Sequence, residues 1–179
     1  MAEFTHLHVH SEYSLLDGQS RLGRMIEQTK AAGMSALALT DHGSMYGSLE
    51  FYKQARAAGI KPILGVEGYL APSLEERGAR YDYNHLLLLA RDQVGYHNLL
   101  KLTTIAHTRG FHARPRVDKK VLAAHAQGLI VTSGCISGEI PDLLRKDDLN
   151  GARMALNWYR DVFGDANVYL EIQDHLAAD

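Results

Sequence analysis

The chain has 179 residues, of which 46% are hydrophobic and 22% charged, with a formal net charge of -2. That length suits one domain with a sizeable core, and the charge balance excludes broad non-specific attraction to a polyanion without excluding a local basic rim. The single cysteine, Cys135, excludes an internal disulfide and suits a reducing, cytoplasmic setting; no apolar run approaches the ~20 residues that span a bilayer, and MAEFTHLHVH lacks the basic and apolar regions of a signal peptide.

The first predicted element is a strand over residues 5–10, where polar and apolar residues alternate. Alternation puts His6, His8 and His10 on one face and Leu7 and Val9 on the other. Neutral imidazole is a common ligand for Zn²⁺ and other first-row metals. Asp17, beside the flexible Gly18, adds a carboxylate a short loop later. One strand histidine is usually structural, whereas strict alternation followed by a carboxylate points to a metal site. His6 sits deeper in the strand and is expected to be a core residue or to orient a ligand.

A helix is predicted over residues 21–32, ending at Gly33, with Leu22, Met25, Ile26 and Thr29 on its apolar face. A short strand over 35–40 leads into Asp41-His42-Gly43, and a helix over 45–58 stops at Gly59. The strand over 62–69 carries Glu67 near its end. A polar surface loop over 71–84 follows, then a strand over 85–90 that His85 opens. The helix over 95–107 is expected to bury Leu99, Leu100, Leu102 and Ile105. A loop over 108–117 carries Arg109, Arg114 and Arg116, and Asp118 is placed to cap a helix over 119–126. The strand over 129–133 runs into Gly134-Cys135; helices over 137–145 and 149–163 and a strand over 167–172 complete the pattern. There is no repeat, low-complexity stretch or linker. Alternating strands and helices imply an α/β fold with a mainly parallel sheet, either a β/α barrel or an open doubly wound sheet. In both, chemistry gathers at the carboxyl ends of the strands.

By that rule His8, His10, His42, Glu67 and Cys135 converge from four strands. Strand parity agrees, since Thr40 shares a face with His42, Gly65 with Glu67 and Ser133 with Cys135. Gly65 removes bulk on the face where Glu67 points. His85 fits less well because it opens its strand, and Cys135 alone would read as a buried small hydrophobe. Asp41 has the wrong parity for a ligand and is expected to orient a histidine or cap the next helix. His97, His107, His112, His125 and His175 take structural readings. Mixed His, carboxylate and single-sulfur donors point to a catalytic centre, because structural zinc sites are closed and usually rich in paired cysteines. So many ligands imply more than one divalent ion, and ions a few ångströms apart suit phosphoester hydrolysis.

The stretches HLHVHSEYSLLDG, LTDHGSMYGSLEFYKQARAAGIKPILGVEGY, GLIVTSGCISGEIP and NVYLEIQDH resemble the N-terminal domain of bacterial DNA polymerase III alpha subunits. That domain belongs to the polymerase and histidinol phosphatase (PHP) superfamily. The resemblance covers essentially the whole chain, 1–179, and implies a PHP-type distorted β/α barrel of seven units with up to three divalent ions (Zn, Mn or Mg). It implies metal ligands at His8, His10, Asp17, His42, Glu67, His85 and Cys135, among which Glu67, Asp17 and His10 are expected to be catalytic. The arginines Arg109, Arg114 and Arg116 are candidates for substrate binding, against the alternative of a solvated loop.

The family has a further strand ending in Asp-x-His that supplies two more ligands. This sequence stops before it, since Asp174 and His175 are adjacent and belong to the preceding segment. The chain is therefore expected to be an N-terminal fragment of a larger polymerase chain, with an unclosed barrel and open strand edges. The resemblance implies a role in DNA replication, with metal-dependent 3′–5′ exonuclease activity in the intact domain, and as partners a DNA 3′ end, the rest of the polymerase and other replisome subunits. The alternatives are a small-molecule phosphatase and a structural metal-binding module that docks a proofreading partner.

Overall fold

The structure, a computed structural model, describes residues 4–15, 17–75 and 83–174. Residues 76–82 of the expected surface loop over 71–84, and His175, lie outside the described residues. The fold is mixed α/β. In chain order it comprises α1 (Leu22–Ala31), β1 (Ala36–Leu39), α2 (Ser48–Ala57), β2 (Lys61–Leu70), β3 (Asn84–Ala90), α3 (Gln93–Thr108), β4 (Phe111–His112), β5 (Arg114–Val117), α4 (Lys119–Ala124), β6 (Leu129–Thr132), α5 (Glu139–Arg145), α6 (Leu149–Phe163) and β7 (Val168–Tyr169).

The helices form where local sequence dictates. α1 buries Leu22, Met25, Ile26 and Thr29, the expected face, and the chain leaves it through Gly33 in the left-handed region at φ +73°. Asp118 and Asp148 cap α4 and α6 by accepting from the amides of Val121 and Gly151. In α3 the buried residues are Gly95, Asn98, Leu99, Leu102 and Ala106. Leu100 is exposed and Ile105 half-buried, because the helix lays a narrower stripe on the sheet than its run of leucines implies.

The sheet runs β4-β5-β2-β3-β6-β7, with β1 on β2. Its pairings correct the expectation of a mainly parallel sheet. β1 and β5 pair in parallel with β2, and β7 with β6, but β3 is antiparallel to both β2 and β6. The expected loop over 108–117 contains the β4–β5 hairpin, turned at Ala113 with φ +62°. The expected first strand lies beside β1, where the amides of Ala38 and Thr40 donate to His6 O and Val9 O at 3.0 and 2.8 Å, yet it forms no regular ladder. Thr40 Oγ1 takes the place of a backbone acceptor for Val9 N, at 2.8 Å. Here His6 and Leu7 are exposed, so the core role expected of His6 does not hold.

The two faces of the sheet differ. Val66 and Leu70 of β2 and Leu86 and Leu88 of β3 face outward and pack with Leu99, Leu102, Leu122 and Tyr159 under the helices. The alternate residues Leu87 and Leu89, with Ala38, Ile63 and Ile130, fill a small apolar interior. With both faces covered, β3 is a continuous leucine run. Glu67, Tyr69 and His85 belong to the inner face but lie beyond this plug, at the mouth. The sheet does not close through strand pairing among the described residues. None of the described helices is long and apolar enough to cross a membrane.

Candidate metal centre

Strand direction decides what reaches the mouth. β1 ends there, and its register with β2 (Leu39 opposite Leu64) continues past the strand to an isolated parallel bridge between His42 and Glu67. Because β3 runs the other way, its first residues are at the mouth, with His85 opposite Tyr69 and diagonal to Glu67. The apparent misfit of His85 is thus a consequence of the antiparallel strand. The amide of His85 donates to Ser137 O at 2.9 Å, which holds the turn carrying Cys135 beside it. Gly65 admits the close packing below Glu67, since a Cβ there would lie 2.5 Å from Leu88 O.

All seven expected ligand residues come together around Glu67, which is 1% exposed. Its Oε2 lies 2.8 Å from His10 Nε2, 3.0 Å from His42 Nδ1 and 3.3 Å from His8 Nε2. Its Oε1 lies 2.9 Å from His85 Nδ1 and 3.7 Å from Cys135 Sγ. Asp17 Oδ2 closes the outer side, 2.9 Å from His10 Nδ1 and 3.1 Å from His42 Nε2.

These donors fit metal ions. His10 Nε2, His42 Nδ1 and Glu67 Oε2 are buried and crowded together, yet none has a hydrogen-bond partner of acceptable geometry. Buried polar atoms are rarely left so, and a cation among the lone pairs satisfies all three. Ligands held at about 2.0–2.2 Å from one ion stand roughly 3 Å apart, as these do. Three overlapping groups meet this condition: His8, His10 and Glu67; His10, Asp17 and His42; and His42, Glu67 and His85.

The electrostatics agree. Burial alone would raise the Glu67 pKa, but the imidazoles of His10, His42, His8 and His85 hold it well below the usual carboxylate range. Burial likewise opposes ionisation of Cys135, and its contacts with His85 and the Ser137 backbone override this, favouring the thiolate, the ligand form of sulfur. His10 lowers the Asp17 pKa despite a partial desolvation penalty.

Other residues depart from expectation. Asp41 neither orients a histidine nor caps a helix. It is 1% exposed and accepts from Ser11 N, Ser11 Oγ and Ser14 Oγ at 2.6, 2.8 and 2.7 Å, gripping the loop between His10 and Asp17. Arg116 is 2% exposed and its Nε donates to Gly110 O, so it belongs to the fold of the β4–β5 hairpin rather than to a solvent-facing substrate grip. Arg109 is exposed at the end of α3. Arg114 is exposed near the mouth, its guanidinium 5.9 Å from the centre of the Tyr69 ring, which stacks on His42. His97, His107 and His125 each bind a backbone carbonyl, in keeping with structural roles.

One residue at the mouth escaped the sequence reading. Glu171 Oε1 lies 2.7 Å from His8 Nδ1. It stands two residues past the end of β7, the relation that His42 bears to the predicted end of its strand, so the same rule could have found it.

The model of the PHP domain family matches residues 6–175. Among curated relatives, DNA polymerase III subunit alpha of Treponema pallidum is 47% identical over 96% of this chain, that of Borreliella burgdorferi 46% over 97%, and that of Thermus aquaticus 44% over 97%. The chain spans about 15% of the length of each. A solved amidohydrolase from Chromobacterium violaceum covers 88% of this chain and 49% of its own at 21% identity, with a TM-score of 0.39, too distant to bear on the chemistry. With the family match running from the first histidine pair through Glu171, and with ligand groups assembled at the mouth of the sheet, this chain belongs to the PHP domain family.

Proposed function

We propose that residues 1–179 form one PHP domain of a longer replicative polymerase subunit, and that its centre hydrolyses phosphodiesters, releasing nucleotides from a DNA 3′ end. The observation that carries this reading is the overlap of three ligand groups on three residues, His10, His42 and Glu67, each shared by two of the groups. Similarity to polymerase subunits supports a DNA substrate, with the rest of the polymerase and other replisome subunits as partners.

His8, His10, Asp17, His42, Glu67, His85 and Cys135 would hold the ions. Divalent ions bound there supply Lewis acidity toward water and toward phosphate oxygens. Glu67 presents one oxygen to His8, His10 and His42 and the other to His85 and Cys135, so it would hold metal together with both sets of donors. Asp17 and His10 form the outer wall, with Asp17 largely exposed, where a phosphate would enter. Arg114 at the rim offers paired hydrogen bonds to a phosphate, and Arg109 adds positive charge farther out.

The test is release of single nucleotides from a primer with a mismatched 3′ end, by the full chain, with Zn²⁺, Mn²⁺ or Mg²⁺ added singly. Glu67→Gln removes a charged ligand at nearly constant volume and is expected to abolish release. An unchanged rate in that variant, or after chelation, refutes the proposal. Hydrolysis of a small phosphomonoester without nucleotide release assigns the centre to phosphatase chemistry instead.

A further inference from the structure

We infer that Glu171 is a positioning residue for the metal centre: it holds the Nδ1 proton of His8, so that the ring turns Nε2 toward the ions. The inference rests on the metal-centre reading above and adds a residue to it. His8 is contacted at both ring nitrogens. Nε2 faces Glu67 Oε2 at 3.3 Å, inside the ligand cluster, while Nδ1 meets Glu171 Oε1 at 2.7 Å on the opposite side, closer than Gln173 Nε2 at 3.2 Å. Glu171 belongs to none of the three ligand groups. A neutral imidazole has one N–H and one lone pair, and a carboxylate acceptor on Nδ1 leaves the lone pair on Nε2. Carboxylates in this relation fix the tautomer and orientation of a ligating ring and raise its basicity.

The carboxylate is itself held. Thr132 Oγ1 donates to Oε2 at 2.6 Å and Gln173 Nε2 donates to Oε1 at 2.6 Å. The backbone amide of Glu171 donates to Ser133 Oγ at 2.9 Å. Thr132 and Ser133 lie at the end of β6, so Glu171 is anchored to the sheet and not to a free tail. Its reach to His8 also crosses the gap between the tail of β7 and the segment beside β1. No strand pairing among the described residues joins these two margins of the sheet, so this side-chain contact links them at the level of the ions.

The experiment uses the full chain and Zn²⁺ alone, with calorimetric titration and ¹⁵N spectra of labelled histidine. In the Zn²⁺-loaded protein His8 is expected to carry its proton on Nδ1. Glu171→Ala is expected to weaken Zn²⁺ binding about 10–100-fold. Glu171→Gln keeps an acceptor oxygen, so it is expected to keep the Nδ1-protonated tautomer and lose less affinity. Circular dichroism of the metal-free variants tests the fold, and if Glu171→Ala does not fold, Glu171→Gln and the spectra decide. Wild-type affinity in a folded Glu171→Ala, or a loaded His8 without a proton on Nδ1, overturns the inference and leaves the metal centre standing. Wild-type protein that binds no Zn²⁺ overturns both.

Discussion

Replacing Asp41 tests how the loop between His10 and Asp17 is held. Its buried carboxylate accepts one backbone and two hydroxyl donors at 2.6–2.8 Å. Hydrogen bonds to a charged acceptor are worth about 1.5–3 kcal/mol each, and a buried donor left without a partner costs about 1–3 kcal/mol. The two serine hydroxyls keep the bonds they accept from the amides of Tyr13 and His42, but their O–H groups lose their acceptor when Asp41 is lost. The Ser11 amide, on a residue that is 0% exposed, loses its partner outright. These terms are not additive, and together they place Asp41→Ala at about 3–5 kcal/mol of destabilisation. Asp41→Asn keeps one acceptor and loses the charge, for about 1–2 kcal/mol. Urea unfolding followed by circular dichroism, with a chelator present so that bound metal does not mask the loss, reads the difference. Metal affinity should fall in parallel, because the loop carries a ligand at each end. An Asp41→Ala protein within about 1 kcal/mol of wild type, with unchanged metal affinity, refutes the reasoning.

Stability and metal binding should respond to pH in opposite directions. Burial acts to lower the pKa of His8 and His85, but Glu171 and Glu67 override it at His8, and Cys135 followed by Glu67 overrides it at His85, raising His8 to about 10 and His85 to about 9 from 6.5. In the metal-free protein the charged rings therefore contribute stability that is complete below pH 6.5 and is lost as pH rises through about 9 to 10. Metal needs neutral rings, so its affinity climbs over the same interval, and the gap between melting temperatures with and without chelator should widen; a constant gap contradicts this. The arginines should separate by burial. Arg114→Ala is expected to weaken primer binding and flatten its salt dependence, with a smaller loss of stability than Arg116→Ala. Arg116→Ala should cost about 1–3 kcal/mol of stability, read by denaturant unfolding; the reverse pattern would place Arg116 at the substrate.

The sequence by itself determined what depends on neighbours along the chain. The apolar face of α1, its stop at Gly33, the cap at Asp118 and the extent of α6 follow from helical period and terminal chemistry, which act over one or two turns. Residue types at strand ends likewise marked His8, His10, His42, Glu67 and Cys135, since strand parity and the strand-end rule need no knowledge of partners. The tertiary structure decided what depends on pairing between distant segments. A run of leucines reads the same in either direction, so only the antiparallel pairing of β3 with β2 and β6 explains why His85 reaches the mouth from the start of its strand. Whether an arginine in a polar stretch faces solvent or supports a hairpin was settled by the carbonyl of Gly110 meeting Arg116. Asp41 and Glu171 found their partners 30 and 163 residues away, at Ser11 and His8. Period and parity cannot choose such partners, because closing so long a loop is repaid only by contacts that exist once the sheet has formed.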